Sequence, residues 1–357
     1  MSENNILVIN PGSTSSKLAL YQGQQEVMTS TIEHSQEELA GYDKITDQLD
    51  LRVKYIREFL KDNSVSIKDL DAVVGRGGLL KPIPGGTYKV NQKMLEDLKA
   101  GLQGEHASNL GGLIADSLAE EAGAKAFIVD PVVVDELEDL ARLSGHPLFE
   151  RKSIFHALNQ KAVARNYASD INKDYDEITV IVAHLGGGIS VGLHHQGKVI
   201  DVNNALAGEG PYSPNRSGGL PTLDLANYCY EPENDYNDVK KKLLGGGGVV
   251  AYLNTNDMRE VEEKAEAGNK EADLIYSGMA YQVAKEIGSL GPVVNGKVDA
   301  ILLTGGIAYS DYFVDQIKEQ VSFLAPVKVY PGEEEMSALA AGAERVLTGQ
   351  EEAKTYQ

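Results

Sequence analysis

The chain has 357 residues, enough for two domains, and its 42% hydrophobic and 24% charged residues match an ordinary folded protein and no disordered or fibrous class. Fifty-three acidic residues against 33 basic ones leave a net charge of −20. That charge repels phosphate backbones, so no nucleic-acid partner is expected, and an anionic substrate would need a few well-placed arginines and a divalent cation. A single cysteine, Cys229, excludes an internal disulfide framework or a cysteine metal cluster. The longest apolar runs are strand-sized and the N-terminus carries no basic leader, so a cytoplasmic protein without a membrane segment is expected.

In chain order, Ile6–Ile9 reads as a strand buried on both faces, followed by the turn Asn10–Ser16 and a second strand over Lys17–Tyr21. A third strand is expected around Val27–Ile32, helices over Ile45–Lys61 and Asn91–Leu102, and a strand over Ala72–Val74 between those helices. The second half begins in the same way: strand Val180–Ala183, turn His184–Gly188, strands Ile189–His194 and Val199–Val202. The same 13-residue step separates Asn10 from Gly23 and His184 from Gly197, which points to an internally duplicated α/β protein. Helices are expected at Ala157–Ala168, Thr222–Tyr230, Lys270–Leu290, Asp311–Phe323 and Glu335–Leu347, and a buried strand at Ala300–Thr304. The junction is placed near Glu150, with domains over 1–150 plus 335–357 and over 151–334.

Successive N–H groups and the hydroxyls of Ser13 and Ser15 would make the first turn an anion nest, with Lys17 at its exit and Asn10 offering an oxygen to a metal or a donor to phosphate. Taken alone, the same residues serve equally well as a solvated turn. Gly186, Gly187 and Gly188, and again Gly305 and Gly306, follow buried strands where glycine is expected only if something must approach closely. Arg76 and Arg216 each lie among glycines and small residues, a setting that exposes a planar cation to a carboxylate or phosphate. Asp130 ends a strand, where α/β proteins place ligand-binding groups, and His156 opens a helix. Glu333, Glu334 and Glu335 open the last helix, either as a cap or as a Mg²⁺ ligand. His194 and His195 read as strand-edge polar residues, and Gly245–Gly248 as a flexible turn without chemistry.

With these motifs assembled, the chain resembles the acetate and butyrate kinase (acetokinase) family of the actin–hexokinase–Hsp70 superfamily, from Ile6 to about Ala343. The resemblance implies two duplicated actin-like ATPase (ribonuclease H-like) domains with a cleft between them. It implies a nucleotide-binding C-terminal domain and an N-terminal domain for the acyl substrate. It assigns Asn10 to the metal and phosphate, Lys17 to the nucleotide, and His184, Gly186, Gly187 and Gly188 to ATP. Gly305, Gly306 and Ile307 fall to adenosine, and Asp257 with Arg259 to the nucleotide side. Arg76 matches the acyl-substrate arginine, with His106 and Phe155 nearby in the pattern. Arg216 and His156 match the stabilisers of the transition state, Asp130 the catalytic acid, and Glu334 the magnesium ligand, with Glu333 and Glu335 open if the register slips.

The chain departs from the acetate kinase pattern around Arg76, His106, Arg216 and Ile307, and these departures resemble the butyrate branch. The implied reaction is butyrate plus ATP giving butyryl phosphate plus ADP, with Mg²⁺, in at least a homodimer. Isobutyrate, acetate or propionate are the alternative acids. A nucleotide-dependent scaffold on the same fold is the reading from another class; it accounts for the phosphate turns but not for two glycine-flanked arginines with Asp130 and His156.

Overall fold

A computed structural model describes residues 3–357. In chain order the first part holds β1 (Asn5–Pro11), β2 (Ser15–Gln22), β3 (Gln25–Glu33), α1 (Leu49–Asp62), β4 (Ala72–Arg76), β5 (Thr87–Lys89), α2 (Gln92–Ala100), α3 (Asn109–Ala122) and β6 (Lys125–Val129). There follow α4 (Ala157–Asp170), β7 (Thr179–Leu185), β8 (Ile189–His195), β9 (Lys198–Val202), α5 (Thr222–Cys229), α6 (Tyr236–Leu243), α7 (Met258–Glu266) and α8 (Lys270–Leu290). The chain ends with β10 (Ala300–Gly305), α9 (Asp311–Val321), β11 (Val327–Pro331), α10 (Glu335–Leu347) and β12 (Lys354–Thr355).

Two compact units result, Met1–Val134 with Glu334–Gln357, and Asp135–Glu333. The break therefore falls at Val134/Asp135, upstream of the junction near Glu150 read from the sequence. The physical reason lies in Glu136, whose carboxylate pairs with the buried Lys161 at 2.8 Å and accepts from the Val199 N–H, tying residues after Val134 to the second unit.

The sheet of the first unit runs β12-β5-β6-β4-β1-β2-β3, and that of the second runs β11-β10-β7-β8-β9. In each, three antiparallel strands joined by tight turns lead into parallel neighbours, so β3-β2-β1-β4-β6 and β9-β8-β7-β10-β11 share one order. The duplication read from the 13-residue step is thus a duplication of topology. In the second unit Ile181, Ala183 and Leu185 of β7 pack towards α8 and α9, while Val180 and Val182 pack towards α4. Both faces are covered, which is why β7 is apolar without alternation. Helix α8 starts at Lys270 because the Asn269 side chain accepts from two first-turn N–H groups, and it buries Tyr276, Met279, Ala280, Val283 and Ile287 at helical spacing.

In the first unit α3, which the sequence reading leaves out, lies against β4. A Cβ on Gly75 would sit 2.0 Å from the Gly111 carbonyl oxygen, and one on Gly111 2.1 Å from the Arg76 carbonyl oxygen. The glycines beside Arg76 are therefore needed for close helix–strand packing. The stretch expected as one helix from Ile45 begins as a short 3₁₀ turn and becomes α-helical at Leu49.

Candidate active site

The first unit gathers its functional side chains at the C-terminal ends of β1 and β4. Asn10 ends β1, Arg76 ends β4, and Glu335 opens α10. Glu335 grips the end of the Arg76 guanidinium with both oxygens, at 2.8 and 2.9 Å, and takes the Asn10 Nδ2–H at 2.7 Å. Arg76 Nη1 also donates to Asn10 Oδ1 at 3.3 Å. The Nε–H and one Nη2–H of Arg76 have no acceptor among the described residues, which leaves one edge of the planar fork for a carboxylate. Of the three glutamates, the structure brings Glu335 to Asn10, whereas the sequence reading gives that place to Glu334, the N-cap residue of α10.

Ser13 is exposed and Ser15 half-buried in the β1–β2 turn, and Lys17 stands exposed in register with Asn10. Asp130 is 3% exposed with a φ of +36°, and its Oδ1 accepts the Gly86 N–H at 2.6 Å. His106 accepts from or donates to Ser108 Oγ at 2.8 Å, and desolvation first, then the Arg76 charge, lower its pKa.

The second unit assembles a separate set. His184, at the end of β7, and His156, before α4, stack face to face with centroids 3.8 Å apart and planes 12° from parallel. Each is held from behind: His184 Nδ1 by Asn159 Oδ1 at 2.9 Å, and His156 Nδ1 by the buried Ser190 hydroxyl at 2.9 Å. Ser190 is itself fixed by Gln160 Nε2 at 2.8 Å. Glu333 approaches His184 Nε2 at 3.2 Å. The sequence reading misses Asn159, Gln160 and Ser190, because nothing in their spacing marks them as holders of the two imidazoles.

Arg216 lies across Gly188, where a Cβ would stand 2.0 Å from its Nη1. Its Nη1 donates to the Ala205 carbonyl at 2.5 Å, and among the described residues no carboxylate pairs with it. Burial lowers its pKa, as expected for an uncompensated cation. The glycine run thought to carry no chemistry supports this arginine. A Cβ on Gly248, at φ +63°, would sit 1.8 Å from the Ser213 carbonyl and 2.6 Å from that of Arg216.

A cavity of about 1020 Å³ brings together Gly186, Gly187, Asn256, Asp257, Arg259, Gly306, Ile307 and Glu333. Asp257 caps α7 through the Arg259 N–H and pairs with the Arg259 guanidinium at 3.0 Å. Gly305 adopts φ +91°, with Leu185 backbone where a Cβ would be. Two expected site residues turn inward. Phe155 is 2% exposed and Ile307 8%, so each packs mainly within the protein. His194 is fully buried within β8, bonded to Gln160 and Tyr175; the strand-edge reading is corrected by β9 covering that edge.

For a metal, Asn10 Oδ1 and the carboxylates at the start of α10 are hard oxygen donors of the kind Mg²⁺ accepts in small number. Among the described residues no group of three or more His, Cys, Asp or Glu is arranged to hold a metal ion.

The chain is similar to known proteins along nearly its whole length. A model of the acetokinase family matches residues 145–352. The chain is 57% identical over 352 residues to butyrate kinase 2 of Clostridium acetobutylicum, and 54% identical to butyrate kinase 1 of the same organism, covering 99% of each protein in both cases. The chain belongs to the acetokinase family. As an acetokinase it is a phosphotransferase with a carboxyl group as acceptor. The crystal structure of acetate kinase from Porphyromonas gingivalis superposes with a TM-score of 0.79 at 19% identity, covering 96% of this chain and all of that one, which establishes the actin-like ATPase fold for the acetokinase described here. No helix among its described residues is long and apolar enough to cross a membrane.

Proposed function

We propose that the chain transfers the γ-phosphoryl group of ATP to butyrate, giving butyryl phosphate and ADP, reversibly and in the cytoplasm. The observation that carries this reading is 57% identity to a butyrate kinase across 99% of both chains. The carboxylate is already a competent nucleophile, so its oxygen forms the new P–O bond as the bond to ADP breaks, and no proton needs to be removed.

The chain's contribution is then positioning and charge. Arg76 offers its open edge to the acid while Glu335 holds the other edge, and His106 shapes that side. Arg216 and His156, the latter fixed through Nδ1, offset charge on the phosphoryl oxygens. Asp130 completes the acyl side, with one carboxylate oxygen already engaged by Gly86. Asn10, Ser13, Ser15 and Lys17 take phosphate oxygens. Gly186, Gly187 and Gly188 with His184 line the phosphate tail, and Gly305, Gly306, Ile307, Asp257 and Arg259 the adenosine. Because Glu335 is committed to Arg76, Asn10 and Glu334 would hold Mg²⁺, which when bound supplies charge neutralisation on the phosphates.

A homodimer belongs to the same reading, supported by Leu223, Tyr230 and Tyr236 standing exposed on and around α5 and α6. A coupled ADP-release assay with butyrate, isobutyrate, propionate and acetate tests the whole. Butyrate is expected to give the highest kcat/KM, with a dimer mass by light scattering. Turnover of ATP independent of any acid would instead favour the scaffold reading.

A further inference from the structure

The β1–β2 turn is held from behind by a side chain that no motif marks. Arg52, in the first turn of α1, is fully buried. Its Nη1 donates to the Ser15 carbonyl at 2.6 Å and to Ser16 Oγ at 3.0 Å, and its Nη2 to the Ser13 carbonyl at 3.0 Å and to Gln48 Oε1 at 2.9 Å. The intervening carbonyl, that of Thr14, accepts the His34 N–H at 2.8 Å. Three successive carbonyls are thus drawn inward. The N–H groups of Ser13 and Thr14, and the hydroxyls of Ser13, Thr14 and Ser15, have no partner among the described residues.

All four partners of Arg52 are neutral, no carboxylate lies within ion-pair distance among the described residues, and its Nε–H is buried without an acceptor. Burial of a guanidinium without a counter-ion is costly, and it draws the pKa down to about 10. In a chain of net charge −20 a nearby carboxylate was easily available, so its absence beneath this turn is informative.

We propose that Arg52 is the positioning residue of the phosphate turn. It turns the carbonyls of Ser13 and Ser15 away from the ligand, and its unpaired charge is completed by the phosphates of the nucleotide seated on the other side. This rests on the reading of the turn as a nucleotide-phosphate site.

The test compares Arg52→Gln, Arg52→Lys and, as a control on the same buried helix face, Ile56→Ala. Affinity for the β,γ-imido analogue of ATP is measured calorimetrically without acid, beside KM for ATP and for butyrate. Arg52→Gln is expected to weaken the analogue and raise KM for ATP by roughly 10–100-fold, the scale of losing charge-assisted contacts, while KM for butyrate at saturating ATP stays within about threefold. Arg52→Lys, which keeps the charge and loses the two-handed grip, should fall between the two. Ile56→Ala should lower Tm and leave nucleotide affinity unchanged. Wild-type analogue affinity in Arg52→Gln, or an equal loss in Ile56→Ala, would overturn the proposal, and Arg52→Lys matching Arg52→Gln would overturn its charge component. A wild-type chain that binds the analogue but phosphorylates no acid would sink the kinase reading alone.

Discussion

Arg216 shows how a single missing side chain sets up a charge. Its guanidinium occupies the space above Gly188 that a methyl group would fill, and the colliding atom is the mobile end of the arginine. Gly188→Ala is therefore expected to move the guanidinium with little loss of stability. Arg216→Ala should lower kcat by roughly 10²–10³-fold, the scale for one preorganised charge stabiliser, and Gly188→Ala should reproduce much of that fall at nearly unchanged Tm. Full turnover in either purified variant would remove Arg216 from the chemistry. The sequence singles out the two arginines by their small neighbours, and the structure gives the nearby glycines different work. Around Arg76 the glycines admit a helix, whereas at Gly188 a glycine admits the arginine itself. The difference depends on which atoms lie across the gap, and local sequence does not carry that.

At the scale of elements, α3 is the case that sequence periodicity hides. Gly111 and Gly112 sit inside it, and glycine is among the poorest helix formers, costing about 1 kcal/mol each against alanine. Tertiary packing outweighs that cost because only glycine lets the helix backbone approach β4. Gly111→Ala should thus destabilise the fold by about 1–3 kcal/mol in urea titration despite its better helix propensity, and raise KM for the acid by displacing Arg76. Gly288→Ala in α8, where a Cβ meets nothing within 4 Å, should be neutral or stabilising by up to about 1 kcal/mol. If both substitutions act alike, packing is not what selects glycine at position 111. Helix α8, with its Asn269 cap and buried stripe, and α10, with a buried stripe after the Pro331-Gly332 turn, were legible to the residue. The three-residue β5 and the half-exposed β11 offer too few buried positions to show a period.

For the molecule as a whole, the duplicated run of three opening strands was legible because each half must turn twice within the same 13-residue step, while the order of the strands beyond them was not. What brings Arg52 to Ser13, 39 positions away, was not, since side-chain partners across a turn leave no spacing rule. That same neighbourhood makes stability depend on pH. His34 is buried against Ser16, and burial followed by the Arg52 charge brings its pKa down to about 4, against about 6.5 in an unfolded chain. As pH falls from about 6.5 towards 4, the unfolded chain gains a proton that the folded chain refuses, so stability present at neutral pH is lost through that window. His194, held low by burial and then by Lys161 and Arg165, acts in the same direction, while Glu286, raised chiefly by burial, opposes it. The drop in Tm between about pH 7 and about pH 5 should accordingly be smaller in a His34→Gln, His194→Gln double variant than in the wild type. Equal drops would show that neither imidazole carries the linkage.

The last residues return to the unit that the first ones begin. Tyr356 is 2% exposed, donates to Asp97 and is met by Asn91, while the Gly342 carbonyl in α10 takes the Thr87 hydroxyl. A ribosome making this chain releases Asp135–Glu333 as one uninterrupted stretch, so the second unit has all its strands before α10 is made. The first unit waits, with the faces that receive α10 and Tyr356 uncovered, until residues 334–357 have been made. The half that emerges earliest is the last to be finished, and Arg76 meets Glu335 only then.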